Sequence, residues 1–167
     1  MVATMAEQFD RVDRWITRGM AEHGILLLRI ALGIVFFWFG ALKLVPGASP
    51  AEGLAGQTIE RLTGGLVPAA TAVPVLALWE VAIGIGLFVG RGMRVTLLLL
   101  FVQMLGTVTP LFLFPAETFT SFPWAPTLEG QYIIKNVVLV AAAIALGATV
   151  RGGQLTAEAP RRPGPGP

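Results

Sequence analysis

Cysteine is absent from this 167-residue chain, and His23 is its only histidine. Without cysteine there can be no disulfide, thiol nucleophile or thiolate-bound metal. A single histidine excludes bis-histidine haem and histidine-rich metal sites. We therefore expect no intrinsic cofactor, no metal site and no self-contained catalytic residues. Whether the chain serves an enzyme as one of its subunits stays open.

Charge is scarce as well. Only 13% of the residues are charged and 54% are hydrophobic, and the mean hydropathy is +0.73. A soluble globule of this size would need more polar groups to cover its surface. Lysine and arginine are not interleaved with aromatic residues, so we expect no nucleic-acid partner. The composition predicts an all-α, multi-pass protein of the plasma or inner membrane, whose first partner is the lipid bilayer.

The apolar residues fall into runs long enough to cross a bilayer, because a helix rises about 1.5 Å per residue through a core about 30 Å thick. The predicted spans are 24–45, 72–90, 93–114 and 131–150. They define a four-helix membrane domain at 24–150. An amphipathic helix at 1–23 is expected to lie at the membrane interface, and the Pro- and Gly-rich tail at 151–167 is expected to be disordered.

The basic residues outside the spans predict the orientation. They cluster at 11–18, 91–94 and 151–162, whereas Arg61 is the one in the opposite loops. By the positive-inside rule, both termini are expected to be cytoplasmic. The N-terminal segment lacks the layout of a cleavable signal peptide, so we expect it to be retained.

One face of the first span carries both charges and small residues. Arg29, Gly33, Gly40 and Lys43 fall on this face at helical spacing. Glycines on a membrane helix let a neighbouring helix approach closely, and Gly84 offers the same in the second span. Arg29, at the cytoplasmic end, can extend to its own interface.

Polar residues lie at depth in the outer half of every span. Lys43, Lys135 and Glu80 are expected about 3, 6 and 12 Å below the outer boundary, with Thr107 and Gln103 at about 10 and 16 Å. A charge at the bilayer centre costs about 2.5–3.5 kcal/mol on insertion scales. Glu80 should therefore face inward, and the two lysines are its candidate partners.

These polar residues predict a pocket for a polar headgroup, bordered by two tryptophans. The candidate ligand-binding residues are Trp38, Lys43, Trp79, Glu80, Gln103, Thr107, Lys135 and Asn136. The same polar set could instead only fix how the helices pack. For the tryptophans, core packing is the first interpretation and stacking on a quinone ring the second. Glu129 is expected to cap the fourth helix.

Two motifs resemble a known family. The patterns Arg29-x₃-Gly33-x₆-Gly40-x₂-Lys43 and Glu80-x₃-Gly84-x₅-Gly90 resemble the DoxX-like membrane proteins, which include the small membrane subunit of thiosulfate:quinone oxidoreductase. The segment from Thr109 to Asn136, above all Gly130–Asn136, is similar to the RclC-type inner-membrane group of reactive-chlorine stress. Phe39 stands where many DoxX-like chains have a histidine, which weakens any role carried over to that position.

The resemblance implies a four-helix bundle and an association with respiratory or oxidative-stress redox chemistry. Our first hypothesis is a subunit of, or accessory to, a quinone-linked redox system. Lys43 and Lys135 would hydrogen-bond quinone oxygens, Glu80 would exchange a proton, and a partner subunit would carry the electrons. The rival is an anchoring or assembly protein without a ligand. Homo-oligomerisation is compatible with both.

Overall fold

The amphipathic N-terminal segment and the first span form one uninterrupted helix. The computed structural model describes residues 5–155, and helix α1 runs from Met5 to Lys43, a length of 39 residues. The apolar residues of its N-terminal part, such as Met5 and Phe9, are exposed. Their place at the membrane interface stays a prediction.

Three further long helices follow, and they are α3 (Ala69–Val89), α4 (Met93–Val108) and α7 (Leu128–Thr149). With the short turn after α4 included, the described residues hold four helices that are long and apolar enough to cross a membrane. The predicted fold class, an all-α membrane bundle with four spans, is confirmed. The helix ends differ by a few residues from the predicted spans.

Glycines shape the connections between the first three spans. Helix α2 (Glu52–Leu62) lies in the loop between α1 and α3 and is followed by Gly64 and Gly65, both with positive φ. The turn between α3 and α4 contains Gly90 and Gly92 at φ of +71° and +68°. Only glycine adopts this left-handed backbone without strain, so the chain can reverse direction within three residues here.

Proline ends α4 inside the predicted third span, where a kink or an end of the helix was expected. Pro110 lacks the N–H that would continue the helical bonding and clashes with the preceding turn, so α4 stops at Val108. The third span continues as the short helix α5 (Pro110–Leu113), and the predicted loop at 115–130 contains a short helix and an antiparallel hairpin. The elements of this loop are α6 (Pro115–Thr118), β1 (Phe119–Ser121) and β2 (Ala125–Pro126).

Thr127, and not Glu129, caps the fourth span. The Thr127 hydroxyl accepts a hydrogen bond from the Gly130 N–H at 3.2 Å and donates one to the Glu117 carbonyl at 2.7 Å. Glu129 lies in the first turn, where its carboxylate favours the positive end of the helix dipole as expected, but it was wrongly predicted as the capping residue. Thr127 precedes that turn with extended backbone angles, the usual conformation of a capping residue.

All four spans contribute to one apolar core. Its buried members are Leu32 and Phe36 on α1, Ile83 and Leu87 on α3, Leu97 and Leu100 on α4, and Ala143 and Leu146 on α7. These residues occupy the half of the bundle nearer the turn between α3 and α4. The buried residues of the other half include the polar residues Lys43, Glu80 and Gln103 as well as the apolar Ala72, Val73 and Ala77. The predicted disorder of the tail falls largely on residues 156–167, which lie outside the described part of the chain.

Candidate functional site

Lys43 and Glu80 form a buried ion pair between α1 and α3. The Lys43 Nζ lies 2.6 Å from Glu80 Oε2, and the two residues are only 8% and 7% exposed. Lys43 is the last residue of α1, and Glu80 lies in the middle of α3. The chain thus neutralises the carboxylate at depth, as the cost of an isolated charge in a bilayer requires.

Gln103 on α4 completes this cluster. Its Nε2 donates to Glu80 Oε1 at 2.6 Å, and the residue is 9% exposed. The adjacent residue of α3, Trp79, donates from Nε1 to the Leu99 carbonyl at 3.1 Å. Two successive residues of α3 are therefore bonded to α4 positions four residues apart, which fixes α3 against α4.

The cluster formed by Lys43, Glu80 and Gln103 has hydrogen-bonding capacity left over. Lys43 uses one of its three N–H groups on Glu80 and another on the Phe39 carbonyl at 3.3 Å. The Oε1 atom of Gln103 is buried and has no hydrogen-bond partner among residues 5–155. The cluster can therefore both donate to and accept from a further polar group.

Glycines bring α1 and α3 close enough for this pairing. A Cβ atom at Gly40 would lie 2.8 Å from both the Glu80 Cβ and the Val81 N, and one at Gly84 would lie 2.6 Å from the Phe37 Cβ. Real Cβ atoms do not approach backbone or Cβ atoms this closely, so Gly40 and Gly84 are required at this helix separation. A Cβ at Gly33 would lie 2.8 Å from the ring of Phe88, but the end of that side chain can move aside.

Lys135 does not reach Glu80. It is exposed on α7, and its Nζ lies 5.4 Å from the ring centroid of Tyr132 one turn earlier. The expected descent toward the carboxylate does not occur, and the ammonium group lies over the Tyr132 ring instead. Helix α7 buries no residue between Gly130 and Ala143, so its first half is loosely packed against the other spans.

The other predicted ligand-binding residues lie around the cluster without joining it. Thr107 donates its hydroxyl to the Gln103 carbonyl at 3.0 Å, a bond within α4. Asn136 is half-buried on α7. Trp38 is 62% exposed, so the prediction that it packs in the core was wrong. Trp38 lies two residues before Gly40, and such a spacing places it off the helix face that α3 covers.

Arg29 packs against the end of α3. Its guanidinium group is in contact with the position that a Cβ at Gly90 would occupy, and its Nε is buried without a hydrogen-bond partner among the described residues. Gly90 ends α3 with its N–H bonded to the Gly86 carbonyl. A cation there is favoured by the negative end of the helix dipole.

One contact of the site, between Lys43 and the Phe39 carbonyl, was not predicted from the sequence. The Phe39 carbonyl that accepts from Lys43 is a backbone group, which no side-chain pattern marks. Its only signal is that it lies four residues before a lysine at a helix end. Within residues 5–155, no group of three or more His, Cys, Asp or Glu side chains is arranged to hold a metal ion.

Comparison with known proteins identifies one family. The sequence profile of the DoxX family matches residues 24–116. This range runs from the membrane part of α1 into α6 and includes Lys43, Glu80 and Gln103. No curated protein and no solved structure shows a significant match. The match ends before Gly130–Asn136, so the RclC-type subgroup stays a prediction.

Proposed function

Because the chain belongs to the DoxX family and is a multi-pass membrane protein, we propose that it binds the polar head of a small lipophilic molecule at the Lys43–Glu80–Gln103 cluster. A quinone is the ligand that we propose. The protein would act in this way as a subunit of, or accessory to, a respiratory or oxidative-stress redox system. Electrons would pass to or from a cofactor in a partner subunit.

The unpartnered oxygen of Gln103 is the observation that carries this proposal. A buried amide oxygen without a hydrogen bond costs about 1–3 kcal/mol. Lys43 uses two of its three N–H groups on Glu80 and the Phe39 carbonyl, so one N–H remains for a ligand. A ligand that offers both an acceptor and a donor would satisfy both groups, and a buried polar cluster with this residual capacity is typical of a binding site.

A quinone and its reduced form fit these groups in complementary ways. The carbonyl oxygen of the quinone would accept from Lys43, and the hydroxyl of the quinol would donate to Gln103 Oε1. Glu80 lies between both residues at 2.6 Å from each, so it could exchange the proton as the ligand is reduced or oxidised. The loosely packed first half of α7 would give a membrane-dissolved ligand access from the side.

The test measures binding of a short-chain ubiquinone and its quinol to the purified full chain in nanodiscs. We expect Gln103→Leu to weaken quinol binding about tenfold, as the loss of a buried hydrogen bond implies, and to weaken quinone binding less. Gln57→Leu, which removes an exposed amide on α2, is the matched control. Quinone and quinol binding by Gln103→Leu equal to that of the unaltered chain would overturn the proposal.

Lys135→Ala decides how wide the site is. Lys135 carries the same charge as Lys43 but lies exposed beside Tyr132. If the site consists of the three clustered residues, this variant binds quinone as the unaltered chain does. A loss equal to that of Lys43→Met would extend the site to α7 and to the wider set predicted from the sequence.

The second candidate function is a membrane anchor or assembly protein without a ligand. The observation that favours it is that both side-chain bonds of the cluster join different helices, α1 to α3 and α3 to α4. In this function the buried charges serve helix packing and partner recruitment. The double variant Lys43→Glu with Glu80→Lys should then recover the thermal stability that each single variant loses. The unaltered chain should bind neither quinone nor quinol.

A further inference from the structure

A cleft opens between α4 and the end of α7, away from the Lys43–Glu80–Gln103 cluster. Its volume is about 560 Å³, within the usual range of about 300–1,000 Å³ for small-molecule sites. Arg94, in the first turn of α4, and Arg151, just after α7, border it at the same end of the bundle. Its remaining walls include Leu97, Leu98, Phe101, Gly147 and Ala148.

The two arginines make the end of this cleft strongly cationic. Both are exposed, and neither belongs to an ion pair within residues 5–155. Among residues 5–155, no aspartate or glutamate lines the cleft. Two guanidinium groups that no carboxylate neutralises favour an anion, and arginine matches the geometry of phosphate in particular.

Below the arginines the cleft is apolar. From Arg94 to Phe101 the helix rises about 10 Å, and the α4 residues that line this stretch are Leu97, Leu98 and Phe101. A Cβ at Gly147 would lie 3.6 Å from the nearest atom, Leu97 Cδ1. The missing side chain at Gly147 therefore leaves space beside α4 that a larger residue would fill.

From this arrangement we propose that the cleft binds an anionic phospholipid. The phosphate would lie between Arg94 and Arg151, and an acyl chain would run along Leu97 and Phe101 past Gly147. A free phosphate ion would engage only the arginines, and the apolar walls indicate a lipid instead. Basic clefts between membrane helices bind acidic headgroups in this manner. The proposal is independent of quinone binding.

The test is native mass spectrometry of the full chain in detergent, titrated with phosphatidylglycerol or phosphatidylcholine. We expect phosphatidylglycerol to bind more tightly. Arg94→Gln and Arg151→Gln should each weaken it about fivefold, since a basic residue near an anionic headgroup contributes about that factor. Gly147→Leu should weaken both lipids, because its side chain would fill the acyl path.

Arg91→Gln is the matched control. Arg91 lies exposed in the adjacent turn but does not line the cleft, so this variant should bind phosphatidylglycerol as the unaltered chain does. Equal losses for Arg91→Gln and Arg94→Gln would mean a diffuse electrostatic attraction and would overturn the proposal. So would equal binding of the two lipids, unchanged binding by Gly147→Leu, or displacement of phosphatidylglycerol by millimolar inorganic phosphate.

Discussion

Glu80 is held by donors from two helices. Lys43 bonds to one of its oxygens and Gln103 to the other, each at 2.6 Å. In a low-dielectric interior the carboxylate and the ammonium group need each other, since either alone would be an uncompensated charge. The stability of the bundle should therefore depend on the pair as a unit.

Glu80→Gln should lower the free energy of unfolding by about 3 kcal/mol, because it leaves the Lys43 charge buried without a counter-ion. Thermal unfolding in nanodiscs measures this loss. Adding Lys43→Met to Glu80→Gln should recover much of it, because the orphaned charge is then removed. Glu60→Gln on the exposed face of α2 is the control. Equal effects of Glu60→Gln and Glu80→Gln would contradict the prediction.

Gly90→Ala should destabilise the bundle more than Gly92→Ala does. Both glycines have positive φ, +71° and +68°, but only at Gly90 would a Cβ meet another side chain, the Arg29 guanidinium. The backbone strain is therefore common to both variants, at about 1 kcal/mol or more each, and the difference measures the displacement of Arg29. Thermal unfolding of both variants gives that difference, and Arg29→Ala should abolish it.

At the scale of elements, the contact between α1 and α3 depends on small residues. Gly40 lies against Glu80 and the Val81 backbone, and Gly84 against the backbone of Phe37. Because atoms of one helix backbone lie in contact with the other helix, added carbon atoms cannot be absorbed by a side-chain rotation alone. The helices would have to separate, and the Lys43–Glu80 bond would lengthen.

Gly40→Ala and Gly84→Ala should each cost about 1–3 kcal/mol of stability, the usual range for overpacking. The control is Gly106→Ala on α4, where a Cβ would meet no atom within 4 Å. It should be neutral or slightly stabilising, because alanine favours a helix more than glycine does. Thermal unfolding compares the three variants. Equal stabilities for Gly40→Ala and Gly106→Ala would refute the close approach of α1 and α3.

At the scale of the whole molecule, the absence of cysteine permits a direct measurement of orientation. With cytoplasmic termini, as the distribution of basic residues predicts, Arg61→Cys should react with a membrane-impermeant maleimide in intact cells. Arg91→Cys should react only after the membrane is opened. The reverse pattern would invert the predicted orientation while leaving the fold unchanged.

The sequence by itself determined that this is a helical membrane protein, where its four spans lie, and that Glu80 must face inward. Hydrophobic run length and the cost of charge in lipid are local properties, so composition and periodicity suffice for them. The same holds for the end of α4 at Pro110, since proline acts on its own helix.

Only the tertiary structure decided which polar groups meet. Periodicity places Lys43 and Lys135 on faces of their helices but does not say which helix each face touches. Gly40 and Gly84 let α1 approach α3, so Lys43 reaches Glu80, while Lys135 stays beside Tyr132 on the loosely packed α7. The cleft between Arg94 and Arg151 could likewise not be predicted from the sequence, because it depends on how α4 and the end of α7 pack together.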